Sequence, residues 1–328
     1  MIATKKLLAL TLSALMALGF TGCGSSASSA APSSGGKDFT VGVCQLTQHP
    51  SLDAATQGFM DELEEQLPGR VDFDVQNACN DIPTCGVICA GFASADVDLI
   101  LANATASLQA AAAATTQIPV LGTAITEYGV ALDLDDFDGT VGGNISGTCD
   151  LAPLDQQAAM IPELLPQAQN VGILYCSAEP NSVYQAQVVQ QELEQMSLTV
   201  NVYTFADSND VAQVAAVACD ENDVLYIPTD NTAATCAEAI NNVAEPAGVP
   251  VISGDAGTCA GCGVATLAID YYQLGRTTGA MAARILTGEA DVAQMPVEYY
   301  PDPVHMVNTD LAQALQVDVP DHYIPLEP

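Results

Sequence analysis

The sequence predicts an α/β protein of two doubly wound parallel-sheet lobes, and three observations carry that reading. Short, wholly apolar runs alternate with longer stretches whose apolar residues recur at helical spacing. The strand-like runs stay apolar along their length, as strands covered by helices on both faces do. The alternation stops in a polar, glycine-rich stretch near mid-chain and then restarts over a similar length. Strands and helices in this rhythm build βαβ units and parallel sheets.

In order, "DFTVGVCQL" from Asp38 reads as a strand, and "SLDAATQGFMDELEEQL" as a helix with Leu52, Ala55, Phe59, Leu63 and Leu67 on one face. Pro68-Gly69 stops it, and "RVDFDVQNA" is the next strand. "VDLILANAT" is an apolar strand ending in polar residues, followed by the helix "ASLQAAAAATTQ" and the strand "IPVLGTAI". The interruption runs from Leu132 to Asp150. Within it "DLDDFDG" fails as a calcium loop, with Phe137 in a ligand position and the glycine one place late. "GGN" at Gly142 has no lysine after it to make a phosphate loop. The second series reads "NVGILYCSAE" strand, "SVYQAQVVQQELEQM" helix, "LTVNVYTFA" strand, "DVAQVAAVAC" helix and "DVLYIPTDN" strand. It continues with "TAATCAEAINNVAEPAG" as one helix and "VPVISGD" as a strand. A helix "YYQLGRTTGAMAARILTGE", stopped by Gly288, precedes a last strand and helix in "VEYYPDPVHMVNTDLAQAL".

Apolar residues make up 49% of the 328, aromatics only 5%, with no Trp, so the cores must be aliphatic. Lys and Arg total 6 against 40 Asp and Glu, which excludes nucleic acid as a partner, because phosphate binding depends on basic residues. Lys5-Lys6 followed by the apolar run Leu7 to Phe20 and "FTGC" resembles a bacterial lipoprotein signal. That resemblance implies a signal peptide over residues 1–22, lipidation of Cys23, a flexible tether over 23–37, and a body outside the cytoplasm anchored to a bacterial membrane. A plain secretory signal with an incidental cysteine is the alternative, and it leads to the same compartment. Setting Cys23 aside, ten of the eleven cysteines remain, an even number that permits disulfides in an exported protein. Cys44 and Cys176 sit in apolar runs as small hydrophobes. "CGVIC" (Cys85, Cys89) and "CAGC" (Cys259, Cys262) are closer to pairs, and the pairing stays open. No histidine ligands accompany these spacings, so neither a metal nor a cofactor is expected.

In open parallel sheets, ligands bind beyond the carboxyl ends of the strands. The first series delivers Gln45, Thr47, Gln48, His49, Ser51 and Asp53, then Asn103 and Thr105, then Thr123, Thr126, Glu127 and Tyr128. The second delivers Ser177, Glu179, Asn181, Ser182 and Tyr184, then Asp230 and Asn231, then Asp255. Thr105, Asn181, Ser182 and Asp230 each stand where a helix cap belongs and can serve as no more than that. Taken together, hydroxyls, amides and carboxylates at equivalent ends of both series point to a pocket. Helix N-termini suit a ligand carboxylate, and Asp230, Glu179 or Glu127 an ammonium, so the expected guest is a zwitterion. Asp230 is expected to take the ammonium, and Thr105, Asn181 and Ser182 the carboxylate.

The segments "VGVCQLTQHPSLDAATQGFMDEL", "LILANATASLQAAAAATTQIPVLGTAIT", "GGNISGTCD", "LYCSAEPNSV", "LYIPTDNTAA" and "VATLAIDYYQLGRTTGAMAARILTGEADVAQMPVEY" resemble the ABC-transporter substrate-binding lipoproteins of the tryptophan/aromatic amino acid-binding type. The likeness runs from about Phe39 to Asn308 and is most specific at "QHPSLD", "AEPNS" and "PTDN". It implies a type I periplasmic-binding-protein-like fold with a three-stranded hinge, lobe 1 comprising residues 38–149 plus 262–290 and lobe 2 residues 150–261 plus 291–328. It also implies a small solute, an amino acid or similar, held in the cleft and passed to an ABC permease and its ATPase. "ITEYG" departs from the "TDP"-like segment usual there. Only Tyr128, Tyr184 and Tyr203 are at hand to sandwich an aromatic ring, so a smaller amino acid stays open as the ligand. An enzyme is disfavoured. No nucleophile elbow accompanies the three histidines, and Glu179 with Asp230 suits an ammonium better than hydrolase chemistry. A ligand sensor signalling through a separate protein is the remaining alternative.

Overall fold

Two parallel-dominated sheets organise the chain in the computed structural model, which describes residues 38–326. The expected signal peptide, Cys23 and the tether lie outside the described residues. The first run comprises β1 (Phe39–Gln45), α1 (Pro50–Gln66), β2 (Val71–Asn77), α2 (Ile82–Ala95), β3 (Leu99–Asn103), α3 (Thr105–Ala114), β4 (Val120–Ile125), α4 (Tyr128–Leu132) and β5 (Ile145–Cys149). The second comprises α5 (Leu154–Leu164), β6 (Asn170–Cys176), α6 (Pro180–Gln195), β7 (Thr199–Phe205), α7 (Val211–Glu221), β8 (Val224–Ile227), α8 (Asn231–Thr235), α9 (Ala237–Ala247), β9 (Val251–Ser253), α10 (Ala256–Cys262) and β10 (Ala265–Ala268). The chain closes with α11 (Tyr271–Leu286), β11 (Glu298–Tyr299), β12 (Val304–Val307), α12 (Thr309–Ala314) and β13 (Ile324–Pro325).

Sheet order is β11-β5-β4-β3-β1-β2 in the first half and β13-β12-β10-β9-β8-β6-β7 in the second, with only the β10–β12 pair antiparallel. Both sheets are covered on both faces, as the unbroken apolar strands require. On β1, Val41 and Val43 pack with Phe59, Leu63 and Met281, while Cys44 joins Phe92 and Ile100 on the opposite side. The second sheet divides its buried residues in the same way, Tyr226 to one face and Leu225 and Ile227 to the other.

Helix α11 belongs to the first half because its backbone touches that of α1. A Cβ on Gly58 would lie 2.0 Å from the Tyr272 carbonyl oxygen, and one on Gly275 would lie 2.0 Å from that of Ala55. Only glycine admits two helices at that approach.

The chain passes between the sheets three times: from Cys149 to Leu154, from Ala268 to Tyr271 and from Tyr299 to Val304. The later two passages fall further along than the expected boundaries near Gly261 and Ala290. β10 stays in the second sheet because its backbone completes ladders with β9 and β12, beginning at Val264, whose amide donates to the Val251 carbonyl. β11 returns to the first sheet by pairing with β5.

Four helices were not expected. α2 and α10 are rich in Gly, Ala and Cys and contain no charged residue, α4 is five residues long, and α5 carries Pro162 inside it. The single helix expected after β8 is two, with a break at Cys236 between α8 and α9. All ten cysteines of the described residues are free thiols. Three of them converge on Ser107, with Cys44 and Cys85 Sγ at 3.6 and 3.7 Å from its hydroxyl and Cys89 Sγ at 4.0 Å from its carbonyl.

Candidate functional site

The carboxyl ends of the two sheets face one another, and hydrogen bonds cross between them. Ser51 donates to Asp255 Oδ1 at 2.9 Å, Asn80 Nδ2 donates to Thr232 Oγ1 at 3.1 Å, and His49 Nε2 lies 3.2 Å from Asn231 Oδ1. A cavity of about 220 Å³ lies at this junction, bounded by Asn80, Ala106 and Gln109 on one side and Glu179, Asn181 and Asn231 on the other. That is smaller than the ~300–1,000 Å³ of common ligand clefts, as expected when two halves have drawn together.

On the second-sheet side Glu179 and Asp230 are engaged wholly within their own half, and Asp255 caps a helix there as well as accepting from Ser51. Glu179 precedes α6 and reaches across to the start of α8. Its Oε2 accepts from Asn231 N (3.0 Å), Asn231 Nδ2 (2.7 Å) and Asn181 Nδ2 (3.3 Å). Its Oε1 accepts from Thr232 N (2.8 Å) and Thr232 Oγ1 (2.7 Å). Asp230 caps α8 through Ala233 N and ties it to the end of β6 through Cys176 N, both at 2.7 Å. Burial and the neighbouring Glu179 charge push its carboxyl well above the usual range. Asp255 caps α10, with Oδ1 accepting from Thr258 N and Oδ2 from Thr258 Oγ1. Asn181 Nδ2 also donates to the Thr229 carbonyl at 3.0 Å, and Ser182 is fully buried beside Asp230.

The first-sheet side is different. α3 begins at Thr105 with no side chain capping it, behind Ala104, whose φ of +86° and ψ of 159° lie outside the ordinary range for a residue with a Cβ. Such strain persists where the surroundings impose it and clusters at ligand sites. The first turn of α3 borders the cavity at Ala106, which leaves unpaired N–H groups there for an anion. A bulge in β4, with Ala124 at φ +53°, resets the pairing with β5 and brings Thr126 beside Asp150. Of the four buried side-chain polar atoms without a partner among the described residues, His49 Nδ1, Asn103 Oδ1 and Asp150 Oδ1 stand at first-sheet strand ends; only Thr266 Oγ1 lies elsewhere, within β10.

The expected site residues therefore divide. Ser51, Thr105, Thr126, Glu179, Asn181, Ser182, Asp230, Asn231 and Asp255 are brought to the facing ends and are all buried. Gln45 and Asp53 are not: Gln45 Nε2 donates to Asp53 Oδ1 at 2.6 Å, and both border a separate groove on the β1–β2 flank. Tyr128 turns into the first core, its hydroxyl donating to the Thr148 carbonyl at 3.1 Å. Glu127 caps α4 by accepting from Val130 N. Tyr184, half-buried on α6, lies close enough to Glu127 that the carboxylate charge, after burial, raises its phenol. Asp230 has both oxygens engaged by backbone amides, whereas Asp150 Oδ1 is free, and neither residue borders the cavity. Asp150, not among the residues expected from the sequence, is buried beside Thr126 and Asp255 at the facing ends. Its only sequence signal is a carboxylate closing the strand "ISGTC", and it reads equally well as the start of a connection.

Known proteins place this arrangement. The model of the ABC transporter substrate binding protein family matches residues 40–325. A tyrosine-binding protein of Clostridioides difficile is 33% identical over 97% of this chain and 94% of its own. The ABC domain from Streptococcus pneumoniae in complex with L-Trp is 29% identical and superposes with a TM-score of 0.83, covering 87% of this chain and 97% of that one. The ligand-free, open structure of a substrate-binding protein with adhesive properties from Clostridium difficile is 34% identical, covering 88% and 99%, yet its TM-score is 0.67. The less identical but liganded structure is thus the better match, in keeping with halves drawn together. The chain belongs to the ABC transporter substrate-binding protein family.

Proposed function

We propose that this protein captures an amino acid between the facing strand ends and hands it to an ABC permease powered by a separate ATPase. The observation that carries the reading is the set of orphaned polar atoms, His49 Nδ1, Asn103 Oδ1 and Asp150 Oδ1, buried at the first-sheet strand ends, together with the uncapped start of α3 beside the cavity. An unpaired buried polar atom costs about 1–3 kcal/mol, and a guest bearing both donors and acceptors would satisfy the set. The start of α3 at Thr105 is suited to the guest's carboxylate. The relatives that bind tyrosine and tryptophan support an aromatic amino acid, with Tyr184 the half-buried ring on the second-half side. Closure follows because a guest touching both halves binds the closed arrangement better than the open one. No chemistry on the guest is part of this reading. The anchor at Cys23 would hold the protein outside the membrane near its permease.

A thermal-shift screen of the purified protein against L-amino acids, sugars and nucleosides tests it. One or more amino acids should raise the melting temperature, since a ligand that binds only the folded state stabilises it in proportion to the logarithm of its concentration. Stabilisation by sugars or nucleosides alone would reject the amino acid reading. Incorporation of labelled palmitate, abolished in Cys23→Ser, checks the anchor.

A further inference from the structure

We propose that Asp150 is the ammonium clasp of the site, receiving the protonated α-amino group of the captured amino acid on its free carboxylate oxygen; this rests on the solute-binding reading above. The described residues bury four carboxylates, Asp150, Glu179, Asp230 and Asp255, and all four stand at the facing strand ends. Three are already satisfied by the protein. Glu179 accepts from four backbone and side-chain groups at the start of α8 and from Asn181. Asp230 gives one oxygen to each of two backbone amides, and Asp255 uses both of its oxygens on Ser51 and Thr258. Asp150 alone keeps an oxygen with no partner: Oδ2 accepts from the Tyr271 hydroxyl at 2.9 Å, and Oδ1 accepts from nothing.

No arginine among the described residues is paired with it. Of the three arginines among the described residues, Arg70 pairs with Asp38, and Arg276 with Glu62 and Glu65. Arg284 stands in the last turn of α11, at the far end of that helix from Tyr271. Burying a carboxylate without a counter-charge disfavours its charged form, and the protein registers that cost. Burial pushes the Asp150 carboxyl up to about 6, against the Tyr271 and Thr126 hydroxyls that favour its charge, and the Asp255 charge adds to the rise. A compact ammonium with three donors supplies what is missing.

The position also explains how binding is felt across the hinge. Asp150 begins the first passage between the sheets, its amide held by the Ile125 carbonyl at 3.1 Å. Tyr271 ends the second passage and begins α11. The Asp150–Tyr271 bond therefore joins two of the three connecting segments, and Asp255 beside it belongs to the second sheet. A cation seated on Oδ1 would relieve the repulsion between Asp150 and Asp255 and favour their approach.

Calorimetric titration of the wild type and Asp150→Asn with L-tyrosine, L-tryptophan, L-phenylalanine and L-leucine, each beside its 2-hydroxy acid counterpart, tests the assignment. The wild type should prefer the amino acid by at least about 100-fold, and Asp150→Asn should reduce that preference below about tenfold. A variant that keeps the full preference overturns the clasp while leaving the solute-binding reading intact. A wild type that binds none of the four amino acids overturns that reading as well. If circular dichroism shows the variant unfolded, a crystal structure of the wild type with a bound amino acid decides: nitrogen within about 3.2 Å of Asp150 Oδ1 supports the clasp, and nitrogen on any other carboxylate overturns it.

Discussion

The two sets of strand ends that meet at the cleft carry similar residue types but use them differently. On the second sheet, Glu179, Asp230 and Asp255 spend their oxygens on helix N-termini, so that wall is complete without a guest. On the first sheet, α3 begins uncapped behind a strained Ala104, and His49, Asn103 and Asp150 each hold an atom with no partner. One wall is a finished platform and the other is an unfinished socket. The difference teaches that a carboxylate at a strand end is not by itself a ligand group. What matters is whether the protein has already satisfied it.

Substitutions that break the platform should act chiefly on stability. Glu179→Ala strands two backbone amides, a hydroxyl and two side-chain amides in a buried place, and should lower unfolding free energy by about 3–5 kcal/mol in urea titrations. An unchanged midpoint would mean that the second wall is not the self-sufficient unit described.

A pH titration should isolate the socket. The Asp150 carboxyl is raised from 3.8 to about 6, so the folded state holds its proton more tightly than the unfolded chain does. Stability of the unliganded protein should therefore be full below the unfolded value and fall as pH rises through about 6, by ~3 kcal/mol from this residue. Self-repulsion from a net charge of −34 acts in the same direction. Subtracting the profile of Asp150→Asn leaves the part owed to Asp150, and a difference that is flat between pH 4 and 6 would contradict the burial argument.

Asp230→Ala should cost about 2–3 kcal/mol by leaving the Cys176 and Ala233 amides without an acceptor. It should also weaken amino acid binding more than tenfold, because the start of α8 forms part of the cleft wall. Binding lost at full stability would instead make Asp230 a direct ligand group and blur the contrast between the walls. The smallest effect is expected from Ser51→Ala, which removes one bond across the cleft to Asp255. It should shift the unliganded protein toward the open arrangement by about 1 kcal/mol, read as a larger radius of gyration in solution scattering.

Much of the fold was legible because apolar periodicity is a local property. β1, α1 and α6 fall within two residues of their expected ends, and β6 and α11 start where expected and stop three residues early, since each must bury one recognisable face. α2 and α10 were not, because helices without a charged residue show little contrast between faces. The passages near Gly261 and Ala290 were misplaced because which sheet β10 and β11 join depends on ladder partners far away in the chain.

At the site, residue type and strand-end position were enough to nominate Glu179, Asn181, Ser182, Asp230 and Asn231, and the chain alone determined that both halves would deliver polar groups to one gap. It could not determine which carboxylate would be left wanting. That was decided by tertiary structure: by the β4 bulge that sets Thr126 beside Asp150, by the Tyr271 hydroxyl arriving from another passage, and by the backbone amides of Cys176 and Ala233 closing on Asp230. Hydrogen bonds are satisfied by whatever the fold brings within about 3 Å, and those neighbours lie up to 121 residues away along the chain.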